Sequence, residues 1–219
     1  LDSLSDLARE RDIPLIIDNA YGTPFPDIIF GDARPVFNEQ TIVCMSLSKL
    51  GMPGLRTGIV VASEGITEAL GAMNAVVSLA TNSMGPAVAQ ELFESGEVVR
   101  ISREVIRPFY QRRAEQALGW LRDALGPLCG DGPCRIHTPE GAFFLWLWCD
   151  GLPITSAELY ERLRARGVIV VGGQYFFPGL EGEWRHRNEC IRINYSQDET
   201  MVRTGLKIIG EEVKRAYAE

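Results

Sequence analysis

The chain has 219 residues, room for one large domain or two small ones, and 46% of them are hydrophobic, enough to build a core. A net charge of −7 with no dense basic stretch argues against a nucleic-acid surface. The five cysteines (Cys44, Cys129, Cys134, Cys149, Cys190) are spread out without a C-x-x-C, and His137 and His186 lack ligand-like spacing. This points away from a disulfide scaffold or a metal site and toward the reducing cytoplasm. No apolar run is long enough to span a membrane, so no membrane partner is expected.

Residues 1–11 carry a helical pattern, with Leu1, Leu4, Leu7 and Ala8 on one face. A chain that starts inside such a pattern, without methionine, is expected to be the C-terminal portion of a longer protein. PLIID (14–18) reads as a short strand ending in an acid, TIVCMSL (41–47) as a second and GIVVA (58–62) as a third. Short strands that are apolar throughout suggest a mostly parallel α/β sheet. Residues 64–80 and 84–95 read as helices, with Pro86 tolerable in the first turn of the second.

The character changes around Gly96. Residues 97–126 form a long amphipathic helix rich in arginine and glutamate, closed by Gly126-Pro127. Residues 141–149, 167–171 and 190–196 read as strands, 155–166 and 198–218 as helices. The expected organisation is therefore an α/β part over 1–96 and a smaller α+β domain over 97–219.

Chemistry concentrates at two strand ends, where open α/β sheets gather their ligands. Asp18-Asn19-Ala20-Tyr21 follows the first strand and Ser46-Leu47-Ser48-Lys49 the second, with Arg56 just before the third. Lys49 is one of only three lysines beside 19 arginines. Lys207 and Lys214 lie among Glu211, Glu212 and Arg215 on the closing helix, as solvated ion-pairing residues do. Lys49 lies on no such charged face, and an amine near an arginine and a bound cofactor is pushed toward its neutral, nucleophilic form. Taken singly, each of these residues has an ordinary reading: turn lysine, strand-end acid, packing tyrosine, solvent-facing serine or arginine. Arg192 lies in the apolar stretch CIRINYS and is either buried, needing an anionic partner, or on an edge strand facing water. Tyr175, Phe176 and Phe177 read as a core or domain-interface cluster rather than a substrate pocket.

D-x-A-Y, S-x-S-K, P-G-x-R-x-G and R-I-N-Y, in that order, resemble the class I aminotransferases among the fold-type-I pyridoxal 5′-phosphate (PLP) enzymes. IIDNAYGTPFPDIIF, MSLSKLGMPGLRTGI, EGAFFLWLW and YFFPGLEGEW are similar to the branch acting on valine and pyruvate. The resemblance implies the C-terminal part of the large PLP-binding domain, mostly parallel α/β, over 1–96, and the small C-terminal α+β domain over 97–219. It implies that Lys49 carries PLP and moves the substrate proton. Asp18 would pair with the pyridine nitrogen, Ala20 lie under the ring, and Tyr21 reach its phenolic oxygen. Ser46, Ser48 and Arg56 would hold the phosphate, and Arg192 the substrate α-carboxylate. It also implies amino acid and 2-oxo acid substrates and a homodimer. The family's remaining cofactor residues would precede Leu1, so these 219 residues alone are expected not to transaminate. Two rivals share the motifs: the aminotransferase-like, PLP-binding effector domain of a transcription regulator, and another fold-type-I PLP enzyme such as a lyase or decarboxylase. A phosphate-binding NTPase is excluded, because neither G-x-x-x-x-G-K-[ST] nor G-x-G-x-x-G is present.

Overall fold

The computed structural model describes residues 1–219. They form two compact units, Leu1–Phe109 and Tyr110–Glu219. The change of character read at Gly96 thus falls one helical run before the point where the two units divide.

In the first unit, helix α1 (Asp2–Glu10) leads into β1 (Leu15–Asp18), followed by β2 (Thr41–Ser46) and β3 (Gly58–Val61). The leucines of α1 stand half exposed, and the helix instead turns Ser5 inward, where Asn38 donates to its hydroxyl at 2.8 Å. β1 and β2 are parallel, with Ile17 opposite Val43 and Asp18 opposite Cys44. β3 runs antiparallel to β2, Ser46 facing Gly58, so the sheet is mixed. The reason is the connection: residues 47–57 make two short 3-10 turns, too little chain for the crossover that a parallel return needs.

Helices α2 (Glu64–Ser78) and α3 (Met84–Glu94) follow. A core of Phe25, Leu47, Ala89 and Val98, flanked by Met45, Leu50, Leu55 and Ile59, ties the turns after β2 to α3. The first turn of α3 packs so closely on residues 55–57 that a Cβ at Gly85 would overlap the Thr57 hydroxyl. The long helix expected over 97–126 is interrupted. It runs as α4 (Glu97–Ile101), a π-helical turn (Ser102–Ile106) and α5 (Arg107–Leu125).

In the second unit a sheet of order β4-β5-β7-β6 is built from β4 (Cys134–Ile136), β5 (Phe144–Cys149), β6 (Val171–Gly172) and β7 (Cys190–Asn194), all adjacent pairs antiparallel. Alternation sorts its faces. Leu145, Leu147, Ile191 and Ile193 are buried on one side, while Phe144, Trp146 and Trp148 stand half-buried on the other. Helices α6 (Ser156–Ala165) and α7 (Glu199–Ala218) complete the unit. The first is capped by Thr155, and the second by Asp198, which accepts from the Thr200 and Met201 amides. Val202, Leu206, Ile209 and Val213 give α7 a buried stripe at helical spacing. Gly210 lets α7 approach α5, since a Cβ there would lie 2.5 Å from the Ala124 carbonyl oxygen.

The second unit differs from the sequence reading at two further places. β4 is absent from the sequence reading, being only three residues with Arg135 in the middle. The strand expected over 167–171 shrinks to β6, because only Val171 and Gly172 find ladder partners, opposite Arg192 and Ile191. The preceding Ile169 is 77% exposed, apolar without being buried.

Candidate active site

Because β1 and β2 are parallel, Asp18 and Ser46 leave the sheet at the same carboxyl end, the Asn19 amide extending the ladder to the Cys44 carbonyl at 2.8 Å. Asp18 is exposed, and its Oδ1 accepts from the Ala20 amide at 3.2 Å, an Asx turn. That turn directs the chain into the loop carrying Ala20 and Tyr21, both half-buried. Asn19, buried beneath, donates from Nδ2 to the Thr23 carbonyl. The loop returns through backbone bonds from Asp27 to Gly22 and from Ile28 to Tyr21. Its closing acid, Asp27, is buried and paired with Arg107 at 2.8 Å, which also donates to the Phe30 carbonyl. The ion pair joins the first loop to α5; sequence reading missed it, because 80 residues separate its partners.

The second cluster lies on the 3-10 turn Leu47–Leu50. Ser46 caps it, its hydroxyl accepting from the Ser48 amide at 3.2 Å. Leu47, wholly buried, anchors the turn from below, while Ser48 and Lys49 remain half-buried above it. Gly51 ends the turn in the left-handed region at φ 107°, which a side chain would resist. Lys49 Nζ lies 5.7 Å from the centre of the Tyr21 ring, within cation–π range, so the two loops meet. Arg56 also has a left-handed backbone, φ 48°, and extends its guanidinium back over the turn, 3.5 Å from Ser48 Oγ and 3.4 Å from the Pro53 carbonyl. A strained backbone at an exposed arginine whose side chain returns to a serine cluster is a functional-site signature.

The first unit therefore brings together Lys49 with Tyr21, Ser46 with Ser48, and Ser48 with Arg56, and sets Asp18 and Ala20 at the end of the adjoining strand. A guanidinium and two hydroxyls at the start of a short helical turn suit a phosphate dianion. An amine, a carboxylate and a phenol beside them complete a donor set whose chemistry fits PLP.

Arg192 belongs to the second unit. β7 lies between β5 and β6, so Arg192 is on an interior strand, not on an edge facing water. It is half-buried, with no carboxylate within 4.0 Å and no protein acceptor for its donors. Instead its guanidinium carbon lies 4.2 Å from the centre of the Phe144 ring and 5.0 Å from that of Phe176. Tyr195, next but two along the chain, is fully buried and donates to the Ala142 carbonyl at 2.8 Å, a structural role; burial pushes its phenol well above the usual range. Cys190, at the start of β7, is likewise pushed up, to about 11, by burial, and stays a thiol at neutral pH. Lys207 is 77% exposed and 3.9 Å from Glu211, an ordinary surface pair. No helix of the chain is long and apolar enough to cross a membrane.

The model of the family described as aminotransferase class I and II matches residues 1–209. The valine–pyruvate aminotransferase of Escherichia coli K12 is 48% identical over 216 residues, 99% of this chain and 51% of that protein. The crystal structure of valine–pyruvate aminotransferase from Salmonella typhimurium LT2 superposes with a TM-score of 0.92 at 48% identity, covering 99% of this chain and 55% of that one. An HTH-type transcriptional regulator of Bacillus subtilis is 28% identical over 195 residues, 87% of this chain and 37% of that protein. The chain thus spans about half the length of the curated aminotransferases it matches.

Proposed function

The chain belongs to the aminotransferase class I and II family, and on that footing we propose that it serves a PLP-dependent aminotransferase moving an amino group from L-valine to pyruvate. The products are 3-methyl-2-oxobutanoate and L-alanine. Residues 1–96 are then the C-terminal part of the large PLP-binding domain and 97–219 the small domain. The observation that carries the reading is the convergence of Ser46, Ser48 and Arg56 on the capped turn that also bears Lys49, over Tyr21.

When bound, PLP supplies a ring that takes up the electron pair left at the substrate Cα as its proton departs. Ser46, Ser48 and Arg56 hold the phosphate, the arginine through its planar fork of donors. Asp18 keeps a proton on the pyridine nitrogen, which makes the ring the better acceptor. Tyr21 donates to the phenolic oxygen, and Ala20, small enough to lie under the ring, leaves it space. Lys49 would hold the cofactor through Nζ, and the same nitrogen, when free, would take the proton from the substrate Cα and return it to the cofactor's aldehyde carbon, base then acid. Arg192 receives the α-carboxylate through two parallel hydrogen bonds.

The same reading includes a homodimer, which the family resemblance implies, and a cytoplasmic location, supported by five cysteines that are all free. A regulator's effector domain is not favoured: the relatives at 48% identity are aminotransferases, the regulator at 28% a more distant one. With the full-length protein, ¹⁵N-valine and pyruvate should yield ¹⁵N-alanine. Label that stays on valine, while other amino acids transfer theirs, would overturn the substrate pair; no transfer from any amino acid would overturn the activity.

A further inference from the structure

Arg192 poses a physical problem that its role as a carboxylate receptor does not solve by itself. A flexible cation must be held in one place without being neutralised by the protein, since a carboxylate neighbour would occupy the donors that the substrate needs. The surroundings meet both conditions. Phe144 and Phe176 approach the guanidinium at 4.2 and 5.0 Å, and a guanidinium stacked on rings spends its faces and keeps its N–H groups. Phe144 is fixed by the β5–β7 register, opposite Asn194 and diagonal to Arg192.

Phe176 is held from behind by other rings. It meets Trp146 edge-on at 5.1 Å, and Trp146 is the residue directly opposite Arg192. Trp146 also meets Phe177, which packs on Trp184, itself stacked on His186. Trp148, on the same face of β5, donates from Nε1 to buried Glu189, which also accepts from the Gly151 amide and pairs with Arg185. A packing role alone would leave unexplained why Phe176 remains 36% exposed with an unpaired cation against its face.

We propose that Phe144 and Phe176 are positioning residues, holding the Arg192 guanidinium against their aromatic faces so that its donors stay available to a substrate carboxylate. This rests on the reading of Arg192 given above. The test is a double-mutant cycle in the full-length holoenzyme, with Phe176→Leu, Phe176→Tyr, Arg192→Leu and the Phe176→Leu/Arg192→Leu pair, and with Phe144→Leu as the second route should Phe176→Leu unfold.

Phe176→Leu should lower kcat/KM for valine about 3- to 30-fold, mainly through KM, because a cation–π hold acts on carboxylate binding. Phe176→Tyr keeps an aromatic face and should stay within about twofold. In the Arg192→Leu background the Phe176→Leu effect should vanish. An undiminished Phe176→Leu effect in that background would overturn the positioning role and leave Arg192 in place. If Arg192→Leu itself changes kcat/KM only a few-fold, the carboxylate role of Arg192 fails, and the positioning role with it.

Discussion

Replacing Lys49 by alanine in the full-length enzyme should lower the rate of valine–pyruvate transamination by at least about 10²–10⁴-fold, the usual range for removing a positioned proton carrier. Lys49 is half-buried on a turn whose base, Leu47, is wholly buried and whose start is capped by Ser46, so its amine is presented from a fixed platform. Neither other lysine is held in this way: both lie on α7, where Lys207 is ion-paired with Glu211 in solvent. Lys49→Arg should fare as badly as alanine, because a guanidinium does not give up its proton in a protein. Lys207→Ala should leave the rate within about twofold, a surface ion pair being worth little. Steady-state assays of the four proteins check this; retention of more than about a tenth of the rate by Lys49→Ala would remove the residue from the chemistry.

Arg192→Leu should lower kcat/KM on the order of 30- to several-thousand-fold. Truncating one side of a buried charge pair costs about 2–5 kcal/mol, and each 1.4 kcal/mol is about tenfold. The loss should be similar for valine and alanine, which share the carboxylate. Cofactor absorbance should be unchanged, because Asp18, Lys49 and Arg56 are untouched. A sensor that merely holds PLP would tolerate the change. Substrate titrations of the half-reaction, read beside the absorbance of the resting protein, separate the two cases.

The strands of the first unit were legible because LIID, TIVC and GIVV are compact apolar runs between turn residues, and the candidate site because its polar residues follow two of them. Antiparallel β3 was not foreseen: strand direction follows from the length and shape of the intervening turns, which the apolar pattern does not carry. The π-helical turn at Ser102–Ile106 escaped for a similar reason, since one widened turn barely disturbs helical periodicity. GVIVV misled because hydrophobicity marks a strand only where a partner strand exists, and β7 offers one to just two residues. The aromatic grip on Arg192 was half visible. The F-L-W-L-W alternation puts Phe144, Trp146 and Trp148 on one face, but nothing local joins Phe176 to an arginine sixteen residues later.

The most direct test of the central claim is borohydride reduction of the full-length protein reconstituted with PLP, followed by peptide mapping. Reduction fixes the cofactor to whichever amine carries it. The account predicts a pyridoxyl group on the peptide containing Ser46, Leu47, Ser48 and Lys49, attached to Lys49 alone. A label on Lys207 or Lys214, or on no lysine of these 219 residues, would contradict it.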